Sequence, residues 1–261
     1  MIRSQATPIL GGIADWPARL GLAGIALKSC VDLYLGILAG KSRLDMPAFA
    51  DTLRQAGLSM LPAITLVTAV AGLILGNQTA KVLEQFDLPG VVLLTIAYVV
   101  VMELVPILVG ILVAGRAGVA LAVRQATLVV SGEMDGLLVT GINPIQFTLG
   151  PALLAMLLMS FAFAVWGSLV TYTAAVLWLW GTAGVPPTLF LDALTQALGP
   201  GDVFEALGKP LVFALVIALI ATVNGTLAGR DPAGVSRAAT GTMIGAVTAI
   251  LLIDLLFIML P

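Results

Sequence analysis

Apolar residues in this chain run in long blocks rather than in the short alternations of half-buried strands. A bilayer core of about 30 Å requires roughly 20 mainly apolar residues in a helix. Five blocks meet that length, at 57–76, 89–114, 147–180, 210–228 and 238–260. The third is too long for one perpendicular crossing, so it tilts, extends past the bilayer or begins as an interfacial segment. Ahead of them, residues 16–39 are moderately apolar but interrupted by Arg19, Lys28 and Asp32. Charges at the bilayer centre are costly. That segment therefore reads as an amphipathic helix lying in the interface, anchored by Trp16 and Tyr34. A sixth span is the alternative.

Composition makes the membrane assignment firm. Of 261 residues, 60% are hydrophobic and 10% charged, and mean hydropathy is +1.11, whereas soluble domains carry about 25% charged residues. Long apolar blocks favour helices over an outer-membrane barrel. The fold expected is all-α and integral to the membrane: an N-terminal interfacial helix and five transmembrane helices, with a cytoplasmic segment between spans two and three that reads either as a short helix docking to a partner or as an ordinary solvated connector. Residues 1–56 would form the cytoplasmic N-terminal segment and 57–261 the transmembrane domain. The first residues lack the apolar core and cleavage site of a secretory signal.

Charge sets the expected orientation. With the N-terminus cytoplasmic, ten of the twelve Lys and Arg residues fall on the cytoplasmic side, leaving Lys81 and Lys209 outside. The C-terminus is then periplasmic. The outer segment 181–208 is acidic, with Asp192, Asp202 and Glu205, and its stretch 186–198 has helical spacing. A net charge of −2 gives no reason to expect nucleic acid. There is no histidine and one cysteine, Cys30, which removes His-based acid–base chemistry and the usual metal ligands. Neither a metal nor a cofactor is expected.

Few residues remain to carry chemistry. Gly40-Lys41-Ser42 resembles the end of a phosphate-binding loop, but the glycine required five residues before Gly40 is Leu35. The stretch reads instead as a helix-ending glycine followed by a basic pair, so ATP is not bound there. Glu103 stands inside span two with Pro106 after it. An intramembrane carboxylate faces a cavity or a partner, or else makes a structural contact between helices, and the proline predicts a kink. Asp254, near the end of the last span, reads as snorkelling towards headgroups. Arg116 and Arg237 lie near the cytoplasmic interface, where phosphate contact and topology anchoring both fit. Glycines four apart, Gly72/Gly76, Gly225/Gly229 and Gly241/Gly245, predict close helix packing.

These residues also carry a resemblance. Glu103-Leu104-Val105-Pro106 followed by Ala114-Gly115-Arg116-Ala117-Gly118 resembles the E-L-x-P…A-G-R-x-G signature of the MlaE/YrbE permeases. Gly141-Ile142-Asn143-Pro144 with Pro151, and Gly234 to Thr240 with Asp254, follow in order, so the likeness extends from about Leu53 to the C-terminus. It implies the permease half of an ABC transporter in the bacterial inner membrane. Such a permease is a homodimer working with cytoplasmic ATPase subunits and a periplasmic Mce-domain protein to move phospholipid, and is not itself an enzyme.

The resemblance also implies two sites. A coupling segment to the ATPase maps to 119–141, with Arg116, Arg124, Glu133, Met134, Asp135, Asn143 and Pro144 as its residues. A lipid cavity would be lined by the end of span one, Leu73, Leu75 and Gln78, and by Met102 and Glu103. There are departures. Met102 replaces the Arg usual before the Glu, and Val105 the Gly before the Pro. Arg124 stands where an acidic residue is common, Gly132-Glu133-Met134 replaces E-Q-[IL], and Asn143-Pro144 replaces D-P. The docking surface is thus altered in charge, and a cation is missing beside Glu103. Two other functions stay open: a secondary transporter using Glu103 as proton carrier, and a membrane scaffold for a periplasmic partner.

Overall fold

A computed structural model describes residues 16–85 and 89–259; the leading residues 1–15 and the expected end of the last span at Leu260 lie outside them. Among the described residues there are helices and no strands. Six helices are long and apolar enough to cross a membrane. The first, α1 (Trp16–Leu38), ends as the sequence suggests: Gly40 adopts φ +70°, and the amide of Lys41 closes back on the Gly36 carbonyl at 2.8 Å. The supposed phosphate loop is therefore a helix-terminating turn. α1 buries Ala26, Ser29 and Cys30, and the Tyr34 hydroxyl donates to the Gly150 carbonyl at 2.8 Å.

A short helix α2 (Met46–Thr52), capped by the Asp45 side chain, leads to α3 (Leu61–Gln85). The second apolar block is α4 (Pro89–Val99) and α5 (Val105–Val113), joined by a π-helical turn at Val100–Leu104. A second π turn, Ala114–Gly118, carries the same rod on into α6 (Val119–Ser131). α7 (Glu133–Val139) follows a left-handed glycine, Gly132 at φ +78°. The long third block is α8 (Pro144–Ala183), 40 residues or about 60 Å, twice a bilayer core. It begins three residues before Phe147 in a capped first turn, with the Asn143 side chain accepting from the amides of Ile145 and Gln146. α9 (Pro187–Ala197) is the helix expected in the outer segment, and α10 (Pro200–Thr226) and α11 (Pro232–Met259) complete the chain.

Small residues set the packing. α3 lies along α8, and a Cβ added at Gly72 would strike the Thr171 carbonyl, while one at Gly76 would lie 2.9 Å from the Trp178 Cβ. The two backbones can approach this closely only because those positions lack side chains. α10 is the central helix, burying Phe213, Ala214, Ile217, Ala218 and Ala221. Gly225 on it receives Gln125 and Ala122 of α6. Gly229 serves a different purpose, adopting φ +76° in the turn before α11. Leu251, Leu252, Leu255 and Leu256 of α11 remain exposed, an apolar face that suits hydrocarbon rather than water.

Replacing Gly72 by leucine should force α3 off α8 and cost about 1–3 kcal/mol. Thermal unfolding in detergent should show a clear downward shift, with Gly181→Leu, which has open space around it, as the near-neutral control.

Candidate functional site

Pro106 has no amide hydrogen, so in an α-helix the carbonyl four residues earlier, Met102, would lose its partner. The π turn at Val100–Leu104 sits at this position, where the Val105 amide bonds back to the Val100 carbonyl. The freed Met102 carbonyl accepts a hydrogen bond from the Lys209 ammonium at 2.9 Å. The same Nζ donates to Glu103 Oε1 at 2.9 Å and lies 3.6 Å from Asp254 Oδ1 and 3.8 Å from Glu205 Oε1. It also stands 5.5 Å from the centre of the Phe257 ring. π turns interrupt helices most often where a functional group must be presented, and this one presents a carbonyl and a carboxylate to one lysine.

Lys209 is 1% exposed, against 27% for the Glu103 side chain and 7% for that of Asp254. One ammonium thus meets two largely enclosed carboxylates and a third, Glu205, at the rim. Glu103 Oε2 and Asp254 Oδ1 are buried without a hydrogen-bond partner. The cluster carries more acceptor capacity than the lysine satisfies, which is where a fixed charge arrangement stores free energy. Two sequence expectations are corrected here. Lys209 is not an outer-loop residue but sits inside α10, which begins at Pro200 and so places Lys209 within the bundle. Asp254 does not snorkel: α10 and α11 run side by side, and its carboxylate turns towards that lysine. The cation missing at Met102 is supplied by Lys209, 106 residues beyond Glu103 in the chain.

The remaining candidate residues fall into separate places. Of the expected lipid-cavity set, Leu73 and Gln78 are exposed on α3, Leu75 packs partly against the core, and Met102 is 1% exposed. Val105, the other departure beside Glu103, is fully buried, and Gly167 of α8 gives it room: a Cβ there would lie 3.2 Å from Val105 Cγ1. An apolar cavity of about 340 Å³ lies next to this region, between α5, α8, α9 and α10, with Val101, Pro106, Tyr172 and Leu207 in its wall.

The coupling set divides as well. α6 is no free connector: Leu121, Ala122, Gln125 and Ala126 are buried against the bundle. α7 is the protruding piece, with Glu133 and Asp135 exposed, Met134 half-buried, and Leu138 and Val139 exposed at 60% and 89%. Asp135 pairs with Arg230 at 2.6 Å. Asn143 and Pro144 begin α8 as its cap and first residue, a role the acidic residue of the usual D-P pattern would fill equally. Arg116 donates to the Ser59 hydroxyl at 3.3 Å, and Arg124 lies 6.0 Å over the Phe147 ring. Only Glu205, four residues earlier at helical spacing, could have marked Lys209 in the sequence; its other carboxylates, Glu103 and Asp254, are remote in the chain.

Six helices long and apolar enough to cross a membrane, an ion cluster buried among three of them, and a short exposed helix of mixed character suit a helical membrane protein of the transporter-permease class. The chain belongs to the MlaE permease family, whose model matches residues 49–260. It is similar to a probable ABC transporter permease of Rickettsia prowazekii, 26% identical over 196 residues, covering 75% of this chain and 76% of the relative. A probable ABC transporter permease of Synechocystis is 26% identical over 219 residues, covering 84% and 82%. The chloroplast protein trigalactosyldiacylglycerol 1 of Arabidopsis thaliana is 28% identical over 152 residues, covering 58% of this chain and 43% of the relative. Membership in an ABC permease family implies an ATPase partner.

Replacing Lys209 by methionine would strand Glu103 and Asp254 without their cation and should cost about 3–5 kcal/mol. Thermal unfolding of the detergent-purified protein should show a large loss, partly recovered when Glu103→Gln and Asp254→Asn are added. A single Lys209→Met variant as stable as wild type would contradict this.

Proposed function

We propose that this chain is the permease subunit of a lipid transporter in the bacterial inner membrane, working as a homodimer with a separate cytoplasmic ATPase. It would exchange phospholipid or a related lipid with a periplasmic Mce-domain protein. The family match over residues 49–260 carries this reading. The lipid is supported by the Arabidopsis relative, whose name is that of a galactolipid. In this reading α1 lies in the interface, the N-terminus is cytoplasmic and the C-terminus periplasmic.

ATP-driven movement would enter through α7, where Glu133, Met134 and Asp135 join the exposed Leu138 and Val139 in a small mixed surface. That surface continues into the rigid rod of α6, α5 and α4 through two π turns. A push on α7 would cross the left-handed turn at Gly132 and then pass along the α6–α5–α4 rod to Glu103. Lipid tails would pass along apolar residues near Leu73, Leu75 and Gln78 of α3, beside Met102 and Glu103, with the second protomer closing the cavity. Burial of hydrocarbon contributes roughly 0.8 kcal/mol per CH₂, so an apolar wall needs few polar contacts to hold a lipid.

Co-reconstitution with the partner ATPase in vesicles tests the proposal. ATP should drive transfer of a fluorescent phospholipid. Leu138→Asp with Val139→Asp should abolish both assembly and stimulated hydrolysis, because two charges would enter the docking surface. Leu73→Arg should leave assembly intact and reduce transfer at least about tenfold. Flux driven by a pH gradient without any ATPase, and lost in Glu103→Gln, would instead favour the secondary-transporter reading.

A further inference from the structure

At the end of the bundle away from Lys209 lies a cavity of about 590 Å³ between α2, the second π turn, α6 and α8. Arg116 and Arg124 open into it, Asp51 stands at its edge, and Leu121, Ala152 and Met156 form apolar wall. The volume falls in the range of small-molecule sites, and a mostly apolar lining with a few convergent polar groups is their usual character. Along the rod, Glu103 and Arg116 are 13 residues apart, or about 20 Å. The cavity is therefore distinct from the ion cluster.

The two arginines differ from others nearby. Arg230 and Arg237 are each paired with an aspartate. Among the described residues no salt bridge involves Arg116 or Arg124. Arg116 spends one nitrogen on the neutral Ser59 hydroxyl, and Arg124 lies 6.0 Å over the Phe147 ring. A cation–π approach uses none of the guanidinium N–H donors, and the guanidinium fork matches the oxygens of a phosphate. Two guanidiniums line the cavity, and a phosphate monoanion is the ligand their donors suit.

We infer that this cavity binds a monoanionic phosphate ester, the headgroup of a phospholipid in the cytoplasmic leaflet, with Arg116 and Arg124 holding the phosphate and Leu121 and Met156 lying against the glycerol and upper acyl chain. The leaflet rests on the orientation proposed above; the anion site itself rests on the cavity. A lipid held here occupies the groove between α6 and α8, the helices on either side of α7 in the chain, so headgroup binding would bear on the coupling helix rather than on the outer cavity.

Binding to the full-length chain, without ATPase or transport, separates this inference from the transporter reading. Native mass spectrometry would follow retention of dioleoyl phosphatidylglycerol against dioleoylglycerol, which has the same chains and no phosphate. The phospholipid should be retained preferentially, and Arg116→Ala with Arg124→Ala should weaken that retention about tenfold or more. The matching double Lys variant should recover part of it, which guards against a folding defect. Displacement by inorganic phosphate, with no preference for the lipid, would uphold the anion site and assign it to free phosphate. Equal retention of both lipids, or an alanine variant that retains phospholipid as wild type does, would overturn the inference. Alanine variants that keep lipid but lose the ATPase would overturn it too and give the arginines to the partner.

Discussion

Lys209 holds an ammonium at 1% exposure among helices that are otherwise almost wholly apolar, and much else in the molecule is arranged to make that tolerable. A buried charge is strongly destabilising unless it is paired and hydrogen-bonded. Here the pairing comes from three separate parts of the chain: a carbonyl and a carboxylate from the first π turn, Glu205 one turn earlier on α10, and Asp254 from α11. Pro106 contributes indirectly, since its missing amide releases the Met102 carbonyl. The lysine therefore fixes the register of α10 against both the α4–α5 rod and α11. Small residues then let the remaining helices close around that centre, with α3 seated on α8 through Gly72 and Gly76.

The spans themselves were legible because hydropathy over about 20 residues is a local property. So were the turn at Gly40, the helix at 187–197, and the position of Glu103 within a long apolar helix. The errors share one cause. Lys209 and Asp254 were assigned to the surface because a charge in an apolar run is costly when considered alone. What changes that cost is a partner 106 residues away for one and 45 for the other, numbers that no local window sees. The departure at Met102 was similarly misleading: a cation is present beside Glu103, but it arrives from another helix.

The segment between the second and third long helices shows a different limit. The family resemblance implied one docking element over 119–141. The structure divides it by burial: α6 is a continuation of the rod, packed through Ala122 and Gln125, while the left-handed Gly132 releases the short, exposed α7. Helix periodicity alone could not separate the two, because α6 is amphipathic in the sense of either a docking helix or a packed one. Asn143 and Pro144 likewise sit in a recognisable turn whose physical work is to begin α8.

In the proposed reading, a movement at the exposed α7 would pass across the Gly132 turn into the α4–α6 rod and reach an ion cluster that ties the rod to two other helices. That tie rests on the Lys209–Glu103 contact. A double-mutant cycle on that pair, Lys209→Met and Glu103→Gln singly and together, measures it most directly through unfolding free energies. The account predicts a favourable coupling of about 1–3 kcal/mol. Strictly additive effects of the two substitutions would contradict it.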